Sequence, residues 1–164
     1  MELLKEVLSC DGYINEQRKM TNFMYGPVSV ALSGCGPIAA YNALKAVGKE
    51  QSFEKVLDYF NKTTIRCIRM GANAFQIFGV MHKYKVKVKV HFRKELFNQS
   101  DVGILWYKHS LGWHYIMYKR IDNSENYYFY NAGGIGKPIM STMGTFIREH
   151  TVSKLCAIFE LKGA

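Results

Sequence analysis

Hydrophobic residues recur at helical spacing through the first half of the chain. This pattern predicts helices over residues 36–47, 53–62 and 73–84, after a short amphipathic helix over residues 2–9. Gly48 follows the first of the three, as expected at a helix C-terminus. In that helix the apolar side chains lie three residues apart, at Ile38, Tyr41, Leu44 and Val47.

Strict alternation of apolar and polar residues replaces this pattern in the second half. The segment KYKVKVKVHF (residues 83–92) predicts a strand with Tyr84 and Phe92 on its apolar face and His91 among the lysines. Further strands are predicted in VGILWYK, GWHYIMYKRI, YYFYNA and KLCAIFEL, with a hairpin at DNSEN and a short helix near residues 140–148. Helices followed by mostly antiparallel strands indicate an α+β fold.

The length and composition are those of one globular domain over residues 1–164. Hydrophobic residues make up 48% of the chain and aromatic residues 14%, which is enough for a packed core. No apolar run approaches the ~20 residues of a membrane span, and the N-terminal residues do not form a signal peptide. We therefore expect a cytoplasmic protein, although export that uses no such signal stays open.

The net charge of +9 comes from one segment. Residues 59–94 contain nine of the 22 Lys and Arg residues and none of the 13 Asp and Glu residues. Within this segment, the lysine face of the strand predicted over residues 83–92 is typical of a solvated surface, and its lysines discourage pairing with the edge of another sheet. Alternatively, it favours an anionic partner, such as an acidic segment of a peptide or protein substrate. A nucleic acid fits the charge, but no nucleic-acid-binding motif is present.

Phosphate-binding and metal-binding motifs are absent from the sequence. The loop AGGIGKP lacks the first glycine of a P-loop and has proline after its lysine. There is no HExxH motif and no Cys/His spacing suited to zinc, so we expect neither a cofactor nor a metal. The four cysteines show no CxxC pair, and we expect reduced thiols.

Cys35 is the cysteine with a chemically suggestive context, LSGCGPIAAYNAL. It lies where a helix is predicted to begin, and a helix N-terminus or a nearby imidazole can lower the pKa of a thiol. Gly34 and Gly36 are expected to leave its flanks open to a substrate, and the Cys35 amide could donate to an oxyanion. A packing thiol beside a turn is the competing interpretation.

Residues that could activate the Cys35 thiol occur in the second half of the chain. His114 begins one predicted strand, and Asn131 ends the next strand of the same hairpin, which can place them side by side. A carboxamide there would orient the imidazole and fix its tautomer. His109 is the rival base. The chain order Cys, His, Asn is that of papain-like cysteine peptidases.

Two stretches resemble a known family. The segment YGPVSVALSGCGPIAAYNALKAVGK (residues 25–49) resembles the nucleophile segment of the bacteriocin-processing, double-glycine-peptidase-like branch of the papain-like cysteine peptidases. The segment GWHYIMYKRIDNSENYYFYNAGG resembles the histidine strand, hairpin and Asn/Asp strand of the same branch. The resemblance implies a papain-like fold, with N-terminal helices packed on a twisted antiparallel sheet.

The same resemblance implies roles for individual residues. Cys35 would be the nucleophile, His114 the general base and acid, and Asn131 the orienting residue. Papain-like enzymes usually carry an oxyanion-hole glutamine six residues before the cysteine, where this chain has Ser29. Relatives with the longer insertion carry it further upstream, which makes Gln17 the candidate and Asn22 the reserve.

The predicted reaction is acyl transfer through a thioester on Cys35, with hydrolysis of a peptide bond as the leading case. An acyltransferase could use the same triad. A weakly active or inactive binding module for an anionic partner is a further alternative, because the glutamine is missing from its usual position.

Overall fold

The structure is a computed structural model. It describes residues 5–63, 71–92, 100–110, 112–122, 124–133, 136–150 and 154–162. Within these ranges no helix has the length and apolar character needed to cross a membrane.

Five helices occur in the described residues. They span Val30–Ser33 (α1), Cys35–Ala46 (α2), Phe53–Thr63 (α3), Ala74–Lys83 (α4) and Met143–Glu149 (α5). Helices α2, α3 and α4 confirm the three helices predicted from the apolar spacing. Asn73 caps α4 in a reciprocal capping box with Gln76, which explains why this helix begins at Ala74.

Strands form one short hairpin and one large sheet. They span Met24–Tyr25 (β1), Val28–Ser29 (β2), Lys87–His91 (β3), Val102–His109 (β4), Gly112–Arg120 (β5), Asn126–Tyr130 (β6), Ile139–Thr142 (β7) and Lys154–Lys162 (β8). The sheet is antiparallel throughout, in the order β3-β8-β4-β5-β6-β7. The α+β layout and the β5–β6 hairpin were predicted, whereas β7 and the short hairpin were not.

Both faces of the sheet are buried. One face packs on helices α2 to α4, through residues that alternate along the central strands, such as Ile104, Met117 and Phe159. The opposite face packs on α5, where Phe129 and Phe146 stack with ring centroids 3.9 Å apart. Alternation therefore predicted which residues share a face, but not that both faces are covered.

The helix predicted over residues 2–9 is wrong for the part that is described. Residues 5–7 form a single 3₁₀ turn, and Leu8 bridges Ile14. Gly12, with φ of +78°, reverses the chain, so that Asn15 N–H donates to the Val7 carbonyl at 2.8 Å. A tight reversal satisfies these backbone groups in place of a helix.

The strand predicted over residues 83–92 is too long. Lys83 ends α4, and Lys85 adopts φ of +58° in the turn before β3. The predicted faces are also wrong at the end of the strand, because His91 is buried and Phe92 is 74% exposed. His91 Nε2 lies 2.9 Å from the buried Glu160 Oε2 on β8. The antiparallel pairing of β3 with β8 brings these two side chains together.

Candidate active site

A cavity of about 370 Å³ lies between the N-terminal segment and one end of the sheet. Its volume is within the usual range for small-molecule and peptide pockets. It contains three of the residues predicted from sequence and also the rival base His109. The lining residues are Asn15, Glu16, Gln17, Arg18, Ala31, Tyr107, His109, His114, Asn131, Ala132 and Gly133.

Cys35 is the first residue of α2, and part of its surface remains accessible. The main-chain N–H groups of Tyr115, Gly36 and Cys35 itself donate toward its sulfur. The contact with Tyr115 places the thiol against β5, at the residue directly after His114. Helix α2 therefore brings the predicted nucleophile to the strand that carries the predicted base.

The two glycines that flank Cys35 serve packing. A Cβ atom added at Gly36 would lie 2.2 Å from Ala72 Cβ, and one at Gly34 would lie 2.6 Å from the Val30 carbonyl oxygen. Both glycines are buried. The expectation that they leave the flanks of Cys35 open is therefore wrong, because neighbouring chain segments occupy that space.

His114 lies opposite Tyr107 in the pairing of β5 with β4. Its Nε2 is 2.8 Å from the main-chain carbonyl oxygen of Asn131. A carbonyl oxygen can only accept a hydrogen bond, so Nε2 carries the proton and Nδ1 holds the lone pair. The neutral imidazole is thus held in one tautomer, with Nδ1 as the basic atom.

Asn131 orients His114 through its main chain, in contrast to the side-chain contact predicted from sequence. Its φ of 60° lies in the left-handed region, which asparagine tolerates better than most residues. Its N–H donates to Asn15 Oδ1 at 2.8 Å, and its side-chain Nδ2 donates to Gln17 Oε1 at 2.8 Å. Three polar groups of one residue therefore connect the N-terminal segment to the imidazole.

Gln17 lies in the cavity, in the 3₁₀ turn Gln17–Lys19. Its Nε2 donates to the carbonyl oxygens of Val30 at 3.1 Å and Ala31 at 3.4 Å. Since those carbonyls require a donor, the amide nitrogen must face them, and its hydrogens are largely engaged. The reserve candidate Asn22 is exposed and is not among the lining residues.

Burial favours the uncharged forms of both the Cys35 thiol and the His114 imidazole. It raises the pKa of the Cys35 thiol above its ordinary value, although the surrounding N–H groups partly offset this effect. Burial also lowers the pKa of His114, partly offset by the bond to the Asn131 carbonyl. The expectation that the helix N-terminus lowers the pKa of this thiol is therefore wrong, because burial has the larger effect and favours the uncharged thiol.

Two further lining residues were not assigned to the site by sequence reasoning. Tyr107 belongs to the predicted strand VGILWYK, where alternation places it on the same face as His109. That signal becomes useful only once the β4–β5 register is known. Asn15 carried no local signal, because its partner Asn131 is 116 residues away.

His109 lies with its ring centroid 5.6 Å from that of His114. Burial and the nearby His114 lower the pKa of His109. In the part of the chain that is described, no group of three or more His, Cys, Asp or Glu side chains is placed to bind a metal.

The fold resembles solved structures of two peptidase domains. The peptidase domain of Streptococcus ComA, a bifunctional ABC transporter involved in a quorum-sensing pathway, matches with a TM-score of 0.55 and 16% identity. That match covers 79% of this chain and 91% of the ComA domain.

A double-glycine-motif protease from an AMS/PCAT transporter, solved in complex with the leader peptide, matches with a TM-score of 0.53 and 20% identity. That match covers 80% of this chain and 86% of the protease. No family model matches the chain, and no curated protein matches it either. The likeness establishes the papain-like fold of double-glycine peptidase domains, as the sequence resemblance predicted.

Proposed function

We propose that the protein is a cysteine peptidase, in which Cys35 is the nucleophile and His114 the general base and acid. The observation that supports this most directly is the His114–Asn131 hydrogen bond. It leaves Nδ1 as the basic atom of an imidazole whose neighbour on the strand, Tyr115, contacts the Cys35 sulfur. The papain-like fold agrees with this assignment.

The reaction follows from the neutral resting state. The Cys35 sulfur attacks the peptide carbonyl carbon while His114 Nδ1 accepts the thiol proton, so that the thiolate exists only during attack. The imidazolium then donates that proton to the departing amine, and a thioester remains on Cys35. Water, deprotonated by His114, hydrolyses the thioester and restores the thiol.

Asn131 and Gln17 have separate roles in this proposal. The Asn131 carbonyl stabilises the imidazolium that forms when His114 accepts the proton, because it accepts the Nε2 hydrogen. The Gln17 side chain holds the Asn131 carboxamide and α1 in register. Any contribution of Gln17 to the oxyanion hole is limited by these bonds.

A peptide with a Gly-Gly pair is the first substrate to test, since one structural neighbour is a double-glycine-motif protease solved with a leader peptide. Acidic residues in the peptide are a further proposal. Lys85, Lys87 and Lys89 are exposed in and next to β3, the edge strand of the sheet. Their attraction for an acidic segment would weaken with added salt.

The test is cleavage of acidic and neutral peptides that contain Gly-Gly, followed by mass spectrometry. We expect cleavage by the wild type, and none by Cys35→Ser or His114→Ala. Cys10→Ser is the matched control, because Cys10 is an exposed thiol outside the cavity. A product that gains an added amine in place of water would identify an acyltransferase. Cleavage that survives Cys35→Ser would contradict the proposal.

A further inference from the structure

The Tyr107 hydroxyl is a polar group of the cavity that the proposed roles do not use. The residue is only 3% exposed, and it lines the cavity together with His114 and Gln17. Its ring packs edge-on against His114 and Phe146, with centroids 5.9 and 6.2 Å away. The ring is therefore fixed on its apolar sides, and only the hydroxyl is left to act as a polar group.

The described residues supply no hydrogen-bond partner for this hydroxyl, and its oxygen is not among their fully buried unpaired polar atoms, so it opens to the cavity that the residue lines. A buried phenol normally has a partner, as Tyr118 shows on the same face of the sheet, where its hydroxyl lies 2.8 Å from Ser100 Oγ. An unpaired hydroxyl costs free energy unless it is satisfied by water or by a bound molecule. At Tyr107 the lining of the cavity makes a bound molecule the natural partner.

The sheet holds Tyr107 in register with His114. The pairing of β4 with β5 runs without a shift through Trp106–Tyr115 and Tyr107–His114. The pairing of β4 with β8 does shift between Trp106 and Tyr107, but the extra residue is position 156 of β8. The Tyr107 side chain therefore keeps the face that alternation along β4 gives it, the face of His114.

Tyr107 lies next to the residues that the proposed function places around the Cys35 sulfur. It pairs with His114 across β4 and β5, and the next residue of β5, Tyr115, donates its main-chain N–H toward that sulfur. The negative oxygen of a tetrahedral intermediate would form on the carbon bonded to the sulfur. Burial raises the pKa of the Tyr107 hydroxyl, so the hydroxyl keeps its proton at physiological pH and can donate a hydrogen bond.

We propose that the Tyr107 hydroxyl is an oxyanion-hole donor: a catalytic residue that donates a hydrogen bond to the carbonyl oxygen attacked by Cys35, beside the Cys35 main-chain N–H. This inference rests on the proposed peptidase function. It would explain how the site works although the Gln17 amide nitrogen already donates to the Val30 and Ala31 carbonyls.

The test is Tyr107→Phe, which removes the hydroxyl and keeps the ring. We expect kcat for a Gly-Gly peptide to fall roughly 10²-fold with little change in KM, the usual cost of one oxyanion donor. We expect binding of a peptide aldehyde ending in glycinal, which forms a tetrahedral adduct with the thiol, to weaken by about tenfold or more. Alkylation of Cys35 by iodoacetamide creates no oxyanion, so its rate should stay within about twofold of the wild-type rate.

Tyr118→Phe is the matched control, because it removes a buried hydroxyl of the same sheet face that bonds Ser100 outside the cavity. It should leave kcat and aldehyde binding unchanged. Unchanged aldehyde binding in Tyr107→Phe, or an equal loss in alkylation rate, overturns the role of Tyr107 alone. A wild type that is alkylated at Cys35 but neither binds the aldehyde nor cleaves peptides overturns the proposed function, and the oxyanion role with it.

Discussion

At the scale of single residues, the side chain and the main chain of Asn131 make different contacts in the site. The residue type predicted a carboxamide that orients His114, but the carboxamide bonds Gln17 and the carbonyl bonds His114. Its left-handed φ turns that carbonyl toward the imidazole. Asparagine suits the position because it tolerates this conformation and also supplies the donor to Gln17.

Replacing Asn131 with glycine tests this division of roles. Asn131→Gly retains a residue that readily adopts positive φ and retains the carbonyl, while it removes the bond to Gln17. We expect kcat to fall by less than about tenfold, because one hydrogen bond worth roughly 1 kcal/mol is lost and the tautomer of His114 is kept. Peptide cleavage measured beside His114→Ala checks this. A glycine variant as inactive as His114→Ala would show that the carboxamide orients the imidazole.

At the scale of elements, α2 serves the site at two points along its length. Its N-terminus carries Cys35, and its buried Asn42 holds the N-terminal segment that contains Gln17. Asn42 Oδ1 accepts from Ile14 N–H at 2.9 Å, and Asn42 Nδ2 donates to the Ile14 carbonyl at 2.8 Å. The proposed nucleophile and the N-terminal segment that lines the cavity are thus positioned by one helix.

The contact between α2 and the segment before α4 should be sensitive to a single methyl group. Gly36→Ala would place a Cβ 2.2 Å from Ala72 Cβ, and the resulting shift should lower the free energy of unfolding by about 1–3 kcal/mol. Urea-induced unfolding would measure this change. We also expect slower peptide cleavage, because Cys35 is adjacent to Gly36.

Gly144→Ala provides the control for this substitution. Gly144 lies in α5, and a Cβ added there meets nothing within 4 Å. Alanine should be neutral or should stabilise the protein by up to about 1 kcal/mol, the usual gain over glycine in a helix. Equal stability of Gly36→Ala and Gly144→Ala would refute the packing explanation for Gly36.

At the scale of the whole molecule, the site depends on sheet order. Strand β8, the last strand among the described residues, lies between β3 and β4, so it is the second strand of the sheet and is paired on both sides. Strand β5 follows β4 in the sheet, and β6 ends at Tyr130 opposite Met117 of β5. The next residue, Asn131, is therefore close enough for its carbonyl to reach the His114 side chain. The N-terminal segment then closes the cavity from the other side.

The partly buried titratable groups of the site should make the stability of the whole protein depend on pH in both directions. Burial lowers the pKa of His109 and His114 below their ordinary 6.5, so below about pH 6.5 the unfolded chain binds more protons. The free energy of unfolding should therefore decrease as pH falls through that range. Burial raises the pKa of Cys35 from 9.0, so stability should also decrease as pH rises above about 9.

Urea unfolding between pH 5 and 10 would measure both slopes. His114→Gln removes one of the two partly buried imidazoles of the site, and it should flatten the acid side of the profile. Cys35→Ser should flatten the alkaline side in the same way. An acid slope that is equally steep in His114→Gln would contradict a buried neutral imidazole at this position.

The sequence by itself determined most of the helices and strands and the fold that they form. Apolar spacing located α2, α3 and α4, and alternation located β4, β5, β6 and β8, because those signals depend on residues a few positions apart. The motif around Cys35 and the order of His114 and Asn131 indicated the papain-like fold. The helix end at Gly48 was equally readable from its local sequence, and Gly48 has the positive φ of +73° that favours glycine.

Only the tertiary structure decided how these groups act. Three contacts join residues that are far apart in the chain. The Asn131 carbonyl bonds His114, Gln17 bonds α1, and His91 contacts Glu160. The pKa of Cys35 also depends on burial, which raises it by more than the N–H groups at the helix N-terminus lower it. Hydrogen-bond partners and desolvation are properties of packed surroundings, and local sequence patterns do not encode them.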